Sequence, residues 1–181
     1  MKYVGWGGIP QVFASPLPTE WQAEGEHLKA LLASEEYEAA RASTLNAHYT
    51  SPTVISAIYN AVQRIGFTYG RVLEPALGVG NFFGVMPADM SASSRLTGIE
   101  IDPLTASIAR QLYPDADIRA QGFETAALGE GSFDLAISNV PFGDYKLHDP
   151  SFNEHNFLVH DYFFAKAVEN IRPGGAITRQ L

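Results

Sequence analysis

The chain has 181 residues, an apolar content of 46%, a charged content of 18% and a formal net charge of −8 at pH 7. This length and composition are typical of a globular domain with an appendage, and no stretch approaches the ~18 apolar residues of a membrane span. The absence of cysteine excludes disulfides and a cysteine nucleophile and is compatible with a cytoplasmic protein. The acidic charge argues against a self-sufficient nucleic-acid-binding domain, because such domains usually carry a basic face.

Residues 1–46 are predicted to form a helical extension that is separate from the rest of the chain. They begin without the apolar segment of a signal peptide. Thr19 and Gln22 form a candidate capping box before a first helix, and Ser34 can cap a second, short helix.

From residue 47 to residue 181, candidate strands and helices alternate. Ser51 or Thr50 can cap a helix with Pro52 at its first position. An apolar stripe at helical spacing follows: Val54, Ile55, Ile58, Ala61, Val62 and Ile65. Short apolar runs predict strands at 72–73, 96–101, 117–120 and 133–137, then a helix over 156–171 and a last strand that begins at 174 and stops before 178. The alternation predicts an α/β fold with a doubly wound, mostly parallel sheet.

A glycine turn follows the first predicted strand. Gly78 and Gly80 let the backbone approach a ligand closely, and the next helix offers free N–H groups. Glu100 follows ~20 residues later, at the spacing of an acid that bonds ribose hydroxyls in this architecture. Phe83 stands where a dinucleotide site requires Gly or Ala, and Glu74 would repel phosphates and attract an amino or sulfonium group. These residues favour S-adenosylmethionine over NAD as the ligand.

A polar turn follows the strand over 133–137, at the edge where open α/β sheets bind ligands. The side-chain oxygen of Asn139 and the backbone carbonyl of Val140 or Pro141 would accept the hydrogens of an exocyclic amine. They would thereby stabilise the positive charge that develops as a methyl group arrives. The alternative is a strand-ending turn that buries a phenylalanine.

Three motifs, EPALGVGNFF, GIEID and NVPF, resemble in this order the signature of amino-group S-adenosylmethionine-dependent DNA methyltransferases. The segment around Thr50 resembles the one that closes over the cofactor in the adenine-N6 subgroup. More narrowly, YVGWGGIPQVF, AHYTSP, NVPFGDYK and HNFLVHDYFFAKA resemble the methyltransferase segment of large helicase–methyltransferase fusion proteins of phages, plasmids and conjugative elements. The resemblance covers nearly the whole chain. It implies a Rossmann-like class I methyltransferase fold, the cofactor S-adenosyl-L-methionine, and methyl transfer to the N6 amine of adenine in DNA.

The resemblance also implies a role for each matching residue. Thr50 would meet the methionine carboxylate, the glycine turn would shape the pocket around the amino-acid moiety, and Glu100 would hold the ribose. Ile101 and Phe123 would pack on the two sides of the cofactor adenine. The implied cofactor-binding residues are Thr50, Glu74, Pro75, Gly78, Gly80, Glu100, Ile101 and Phe123. The implied catalytic residues are Asn139, Val140, Pro141 and Phe142, of which Phe142 would stack on a base that has left the duplex. No metal site is expected, because the histidine spacings match no zinc pattern.

Two positions depart from the family pattern. Gly122 stands where many relatives have an Asp that bonds the adenine amine, so Gln121 or Glu124 would substitute for it. Val140 stands where the catalytic tetrad has a proline. The resemblance implies further strands, a target-recognition domain and a fused or associated helicase, so we expect a C-terminally truncated core that contacts DNA mainly through other regions and has little activity alone. The alternatives are a methyltransferase acting on a protein glutamine or an RNA guanine amine, which the acidic charge favours, and a non-catalytic fragment.

Overall fold

The described residues, 6–44 and 50–179 of this computed structural model, form an α/β structure in which helices and strands alternate. The helices are α1 (Gln22–Leu31), α2 (Ser34–Ser43), α3 (Pro52–Arg64), α4 (Asn81–Val85), α5 (Ala88–Ser93), α6 (Pro103–Leu112) and α7 (Val159–Asn170). The strands are β1 (Arg71–Glu74), β2 (Arg95–Glu100), β3 (Asp117–Ala120), β4 (Phe133–Ser138) and β5 (Ile171–Arg179). None of the helices described is long and apolar enough to cross a membrane. The parts of the sequence motifs at 3–5 and 47–49, and residues 180–181, lie outside the described residues.

The described strands form a single five-stranded sheet in the order β3-β2-β1-β4-β5. Every neighbouring pair is parallel, which confirms the predicted doubly wound sheet. The chain moves outward from β1 to β3 on one side and then crosses to β4 on the other. This reversal between β1 and β4 opens a crevice at the carboxyl ends of the strands, the place where α/β sheets bind ligands.

Alternate residues of the central strands pack into cores on opposite faces of the sheet. Val72 and Leu135 pack with buried residues of α3, whereas the neighbouring Leu73 and Ala136 pack with buried residues of α7. This division follows from the two-residue period of a β-strand. Because both faces are covered by helices, the strands read in the sequence as short, continuous apolar runs.

Ser51, one of the two residues predicted to cap helix α3, is its N-cap, but the buried face of the helix differs from the predicted stripe. The hydroxyl oxygen of Ser51 accepts a hydrogen bond from the backbone N–H of Val54 at 3.4 Å, and Pro52 is the first helical residue. The predicted stripe is wrong at Val54, Ala61 and Ile65, which are exposed, while Tyr59 is buried. Tyr59 tolerates burial because its hydroxyl donates to the carbonyl of Phe82 at 2.9 Å.

The predicted caps of the first two helices are wrong. Thr19 lies in a 3₁₀ turn that precedes α1, and among the described residues no side-chain hydrogen bond caps that helix. Ser34 is the first residue of α2 rather than its cap. The backbone N–H of Ala33 instead donates to the carboxylate of Glu36 at 2.9 Å. This is the hydrogen bond that the acidic residue of a capping box accepts.

Two boundaries near the last predicted elements also differ from expectation. Helix α7 starts at Val159 rather than at 156, because Asn156 adopts a left-handed conformation with φ of 56°. Strand β5 starts at Ile171 and continues to Arg179, where it pairs with Ser138. The expected stop before residue 178 is therefore wrong, since the register with β4 holds its final residues in the sheet.

Candidate active site

A cavity of about 490 Å³ lies at the carboxyl edge of the sheet, within the usual range of roughly 300–1,000 Å³ for small-molecule sites. Strand β1 places Glu74 there, β2 places Glu100, and the segment after β4 places Asn139. Most of the predicted site residues line this carboxyl-edge cavity: Thr50, Glu74, Pro75, Gly78, Glu100, Ile101, Phe123, Asn139 and Pro141. Gly80, Val140 and Phe142 are not among its lining residues.

The Glu100 carboxylate is held by two backbone amides. Its Oε2 accepts from the N–H of Gly78 at 2.8 Å, and its Oε1 accepts from the N–H of Asp102 at 2.7 Å. Burial raises the pKa of Glu100 above its ordinary value, although the two N–H donors oppose this shift. Each oxygen retains acceptor capacity, so the fixed carboxylate can accept hydrogen bonds from a pair of neighbouring hydroxyls on a ligand.

Glu74 is a buried acid that lines the same cavity. Its side chain is 1% exposed, and its Oε2 atom has no hydrogen-bond partner among the described residues. Burial, followed by the charge of Glu100, raises the pKa of Glu74 well above its ordinary value. An isolated buried carboxylate is costly, so this position favours a ligand that brings a positive charge or a hydrogen-bond donor.

The glycine turn joins β1 to α4 and is fastened to β2. Gly78 and Gly80 have φ values of 57° and 80°, a conformation that favours glycine. The N–H of Leu77 donates to the carbonyl of Ile99 at 2.8 Å. Gly80 faces Tyr113 rather than the cavity: its carbonyl accepts from the Tyr113 hydroxyl at 2.7 Å, and an added Cβ would lie 2.4 Å from that ring. Gly80 therefore shapes the turn through its contact with Tyr113, without lining the cavity.

Two predicted adenine-packing residues differ greatly in exposure. Ile101 is 69% exposed, whereas Phe123 is 2% exposed, and both line the cavity. Phe123 packs against Phe163 of α7 with ring centroids 5.0 Å apart. Gln121 and Glu124 also line the cavity, so both sequence candidates for the missing adenine-bonding Asp are at the site.

The segment Asn139–Phe142 divides its side chains between the cavity, the core and the surface. Asn139 and Pro141 line the cavity, while Val140 between them is buried in the core beside α7. The valine at the departing tetrad position therefore serves packing. Phe142 is 41% exposed and stacks on His160 with ring centroids 5.9 Å apart.

A buried ionic network, which the sequence did not predict, lies beneath the site. The ammonium of Lys166 on α7 lies 2.9 Å from Oδ2 of Asp149 and also donates to the carbonyl of Glu124 at 3.1 Å. The hydroxyl of Tyr162 donates to the same Asp149 oxygen at 2.6 Å. Lys166 also lies 5.3 Å from the ring centroid of Phe123. The network thus ties the loop after Asn139–Phe142 to the turn that carries Phe123.

The N-terminal extension also contributes to the cavity, although residues 1–46 were predicted to be separate. Trp6 and three residues of α2 are among the lining residues: Ala39, Ala42 and Ser43. No local sequence signal connects these positions with the glycine turn. Within 6–44 and 50–179, no group of three or more histidine, aspartate or glutamate side chains is arranged to hold a metal ion.

The comparisons with known proteins agree with this fold. No family model matches the sequence. The chain is similar to Defense against restriction protein B of Escherichia phage P1, with 26% identity over 152 residues, which covers 81% of this chain and 6% of that protein. It resembles the crystal structure of a Listeria monocytogenes protein described as a class I S-adenosylmethionine-dependent methyltransferase, with a TM-score of 0.62 and 16% identity over 97% of this chain and 64% of that one.

A second solved structure with this fold is an S-adenosylmethionine-dependent O-methyltransferase from Thermotoga maritima. Its TM-score is 0.52 at 15% identity, over 73% of this chain and 44% of that chain. The chain described here therefore spans less than two thirds of the length of each of these proteins. Together with the strand order and the parallel sheet, these similarities show that the chain has the Rossmann-like class I methyltransferase fold.

Proposed function

We propose that this chain is the cofactor-binding and catalytic core of an S-adenosyl-L-methionine-dependent methyltransferase that acts on the N6 amine of adenine in DNA. The observation that carries the proposal is the carboxyl-edge cavity, which joins Glu74 and Glu100 to Asn139 and Pro141. One side of this cavity is suited to a ribose and a positive charge. The other side is suited to an amine with hydrogens to donate.

The residues present fit this cofactor. The fixed Glu100 carboxylate can accept the ribose hydroxyls. The buried Glu74, whose Oε2 has no hydrogen-bond partner within 6–44 and 50–179, can face the positively charged part. Thr50 is buried at the cavity wall, where it would meet the methionine carboxylate. Ile101 and Phe123 supply apolar surface for the adenine ring. When bound, S-adenosylmethionine supplies an electrophilic methyl group on a sulfonium.

The chain's own contribution to the reaction is to bind and orient the accepting amine. That nitrogen is a poor nucleophile while its lone pair is delocalised into the ring. The Asn139 side-chain oxygen and a backbone carbonyl of Val140 or Pro141 would accept its two hydrogens and stabilise the developing positive charge. Phe142, exposed and supported by His160, would stack on the base. Alignment then supplies much of the rate enhancement.

A second acceptor class is favoured by the formal net charge of −8. DNA binding usually requires a basic surface, and a protein glutamine amide or an RNA guanine amine carries the same type of nitrogen. NVPF suits both acceptor classes. The segment around Thr50 and the narrower resemblance of YVGWGGIPQVF and HNFLVHDYFFAKA favour adenine in DNA, with DNA contacts and an associated helicase supplied by regions outside this chain. The two acceptor classes share one cofactor site and one catalytic turn.

The test has two stages. Calorimetric titration of S-adenosylmethionine into the purified chain should show saturable binding with one site per chain. Transfer of a radiolabelled methyl group to adenine-containing duplex and single-stranded DNA, to RNA and to protein should be weak for the chain alone. It should favour DNA when the target-recognition region that the sequence resemblance implies is supplied, and product analysis should identify N6-methyladenine. Asn139→Ala should retain cofactor affinity and lose transfer.

The outcomes separate the rival functions. Label in RNA or on a protein glutamine, but not in DNA, would replace the DNA acceptor with that alternative. Cofactor binding without transfer to any acceptor, also when the target-recognition region that the sequence resemblance implies is supplied, would indicate a non-catalytic domain. Absence of cofactor binding by a folded chain would contradict the proposal as a whole.

A further inference from the structure

We propose that the N-terminal extension, defined as residues 6–44, is part of the cofactor site, and that Trp6 contacts the bound ligand. The inference rests on the proposed function, because it names an additional wall of the same site. The observation is that Trp6, Ala39, Ala42 and Ser43 line the cavity that also contains Glu74 and Glu100.

Trp6 is held in place by a small core within the extension. It is 9% exposed and meets Phe13 edge-on, with ring centroids 5.6 Å apart at an interplanar angle of 89°. Val12, Phe13 and Ala40 are buried in the same cluster. An indole fixed in this way loses little conformational freedom when a ligand packs on it, which favours binding.

The extension's core also rests on the segment that holds Glu100. Leu104 of α6 packs against the Trp6 cluster. The N–H of Leu104 donates to Oδ1 of Asp102 at 3.2 Å, and the N–H of Asp102 donates to Glu100. Three successive contacts, through Leu104 and Asp102, therefore link the Trp6 cluster to the Glu100 carboxylate. A ligand that contacts both would stabilise the packing of the extension on the sheet.

The chain contains two tryptophans, which allows a matched spectroscopic test. Trp21 packs against the same extension core but is not among the residues lining the cavity. Trp21→Phe leaves Trp6 as the reporter, and Trp6→Phe leaves Trp21. We expect S-adenosylmethionine to change the emission of Trp21→Phe saturably, with the dissociation constant found by calorimetry. The emission of Trp6→Phe should change little.

A second pair of variants tests the wall without removing either tryptophan. Ala42 is exposed on α2 and lines the cavity, whereas Ala30 is exposed on α1 and is not among the lining residues. Ala42→Leu adds volume to the wall and should weaken S-adenosylmethionine binding by roughly tenfold. Ala30→Leu should retain the wild-type affinity, and both variants should keep the wild-type far-ultraviolet circular dichroism.

The outcomes distinguish this inference from the proposed function. One outcome is that the wild type binds S-adenosylmethionine while the emission of Trp6 does not change and Ala42→Leu keeps the wild-type affinity. That result would overturn the inference and leave the proposed function intact. Absence of binding in the folded wild type would overturn both. A responsive Trp6 together with weakened binding in Ala42→Leu, but not in Ala30→Leu, would establish the extension as a wall of the site.

Discussion

The Glu100 carboxylate accepts a hydrogen bond from the backbone N–H of Gly78 at 2.8 Å, across 22 positions of the chain. A second N–H, from Asp102, occupies the other oxygen. The acid at the end of β2 and the turn after β1 are therefore one structural unit, in which a carboxylate that lines the cavity also organises the glycine turn.

Glu100→Gln should weaken S-adenosylmethionine binding by roughly tenfold or more. The glutamine amide has one acceptor oxygen and one donor NH₂ group, so it cannot accept from both backbone amides and two ribose hydroxyls. Calorimetry gives the measurement, with the exposed Glu130→Gln as a control of equal charge change. Equal affinity in the two variants would contradict the role assigned to Glu100.

Glu74→Gln should raise the stability of the ligand-free chain near neutral pH. The folded-state pKa of Glu74 is raised, first by burial and then by the Glu100 charge. Its stabilising contribution is therefore complete below the ordinary glutamate pKa and is lost as the pH rises toward the folded-state value. The excess stability of the variant should grow as the pH rises above the ordinary glutamate pKa of about 4, measured by urea unfolding.

The same substitution should weaken S-adenosylmethionine binding, since it removes the carboxyl group with which the positively charged part of the ligand would pair. A stability difference that does not change with pH would show that Glu74 is not the group that titrates. Unchanged affinity would show that Glu74 does not face the positive part of the ligand.

Asp149→Asn should destabilise the fold by about 3–5 kcal/mol, because it leaves the Lys166 ammonium buried without its counter-ion. Burial alone would raise the pKa of Asp149, but hydrogen bonds from Tyr162 and Lys166 hold it below its ordinary value. The carboxylate's contribution is thus present above the ordinary aspartate pKa and lost as the pH falls through the folded-state value. The difference between variant and wild type should shrink below about pH 4.

The control for Asp149 is a surface pair. The Oδ2 atom of Asp117 lies 2.8 Å from Nη2 of Arg119, and both side chains are partly exposed. Asp117→Asn should cost less than about 1 kcal/mol. Similar losses in Asp117→Asn and Asp149→Asn would contradict the buried-network account.

Gly80→Ala should lower stability more than Gly66→Ala does. Both glycines have positive φ, 80° and 97°, so each alanine incurs a conformational cost of about 1–2 kcal/mol. At Gly66 no atom of the described residues lies within 4 Å of an added Cβ, whereas at Gly80 the Tyr113 ring lies 2.4 Å away. The Gly80 variant must also displace the Tyr113 hydroxyl from the Gly80 carbonyl. Equal unfolding free energies for the two variants would contradict this account.

Local patterns in the sequence were sufficient for the alternation of strands and helices and for much of the site. Glu74, Glu100 and Asn139 each follow a short apolar run, and a parallel sheet brings the carboxyl ends of such runs to one edge. That rule of topology is why residues far apart in the chain could be assigned to one cavity before any contact was known. The fold and the lining positions of the central motifs follow from it.

Only the tertiary structure placed Trp6 in the cavity wall, Tyr59 in the core and Lys166 beside Asp149. Each of these positions depends on a partner distant in sequence: the α2 and Leu104 surface, the Phe82 carbonyl, and the loop after β4. Short-range spacing reports the period of a helix or strand, but it does not report which buried polar group finds a partner. That choice depends on how separate elements pack, because a buried tyrosine or lysine is stable only where another element supplies its hydrogen bonds.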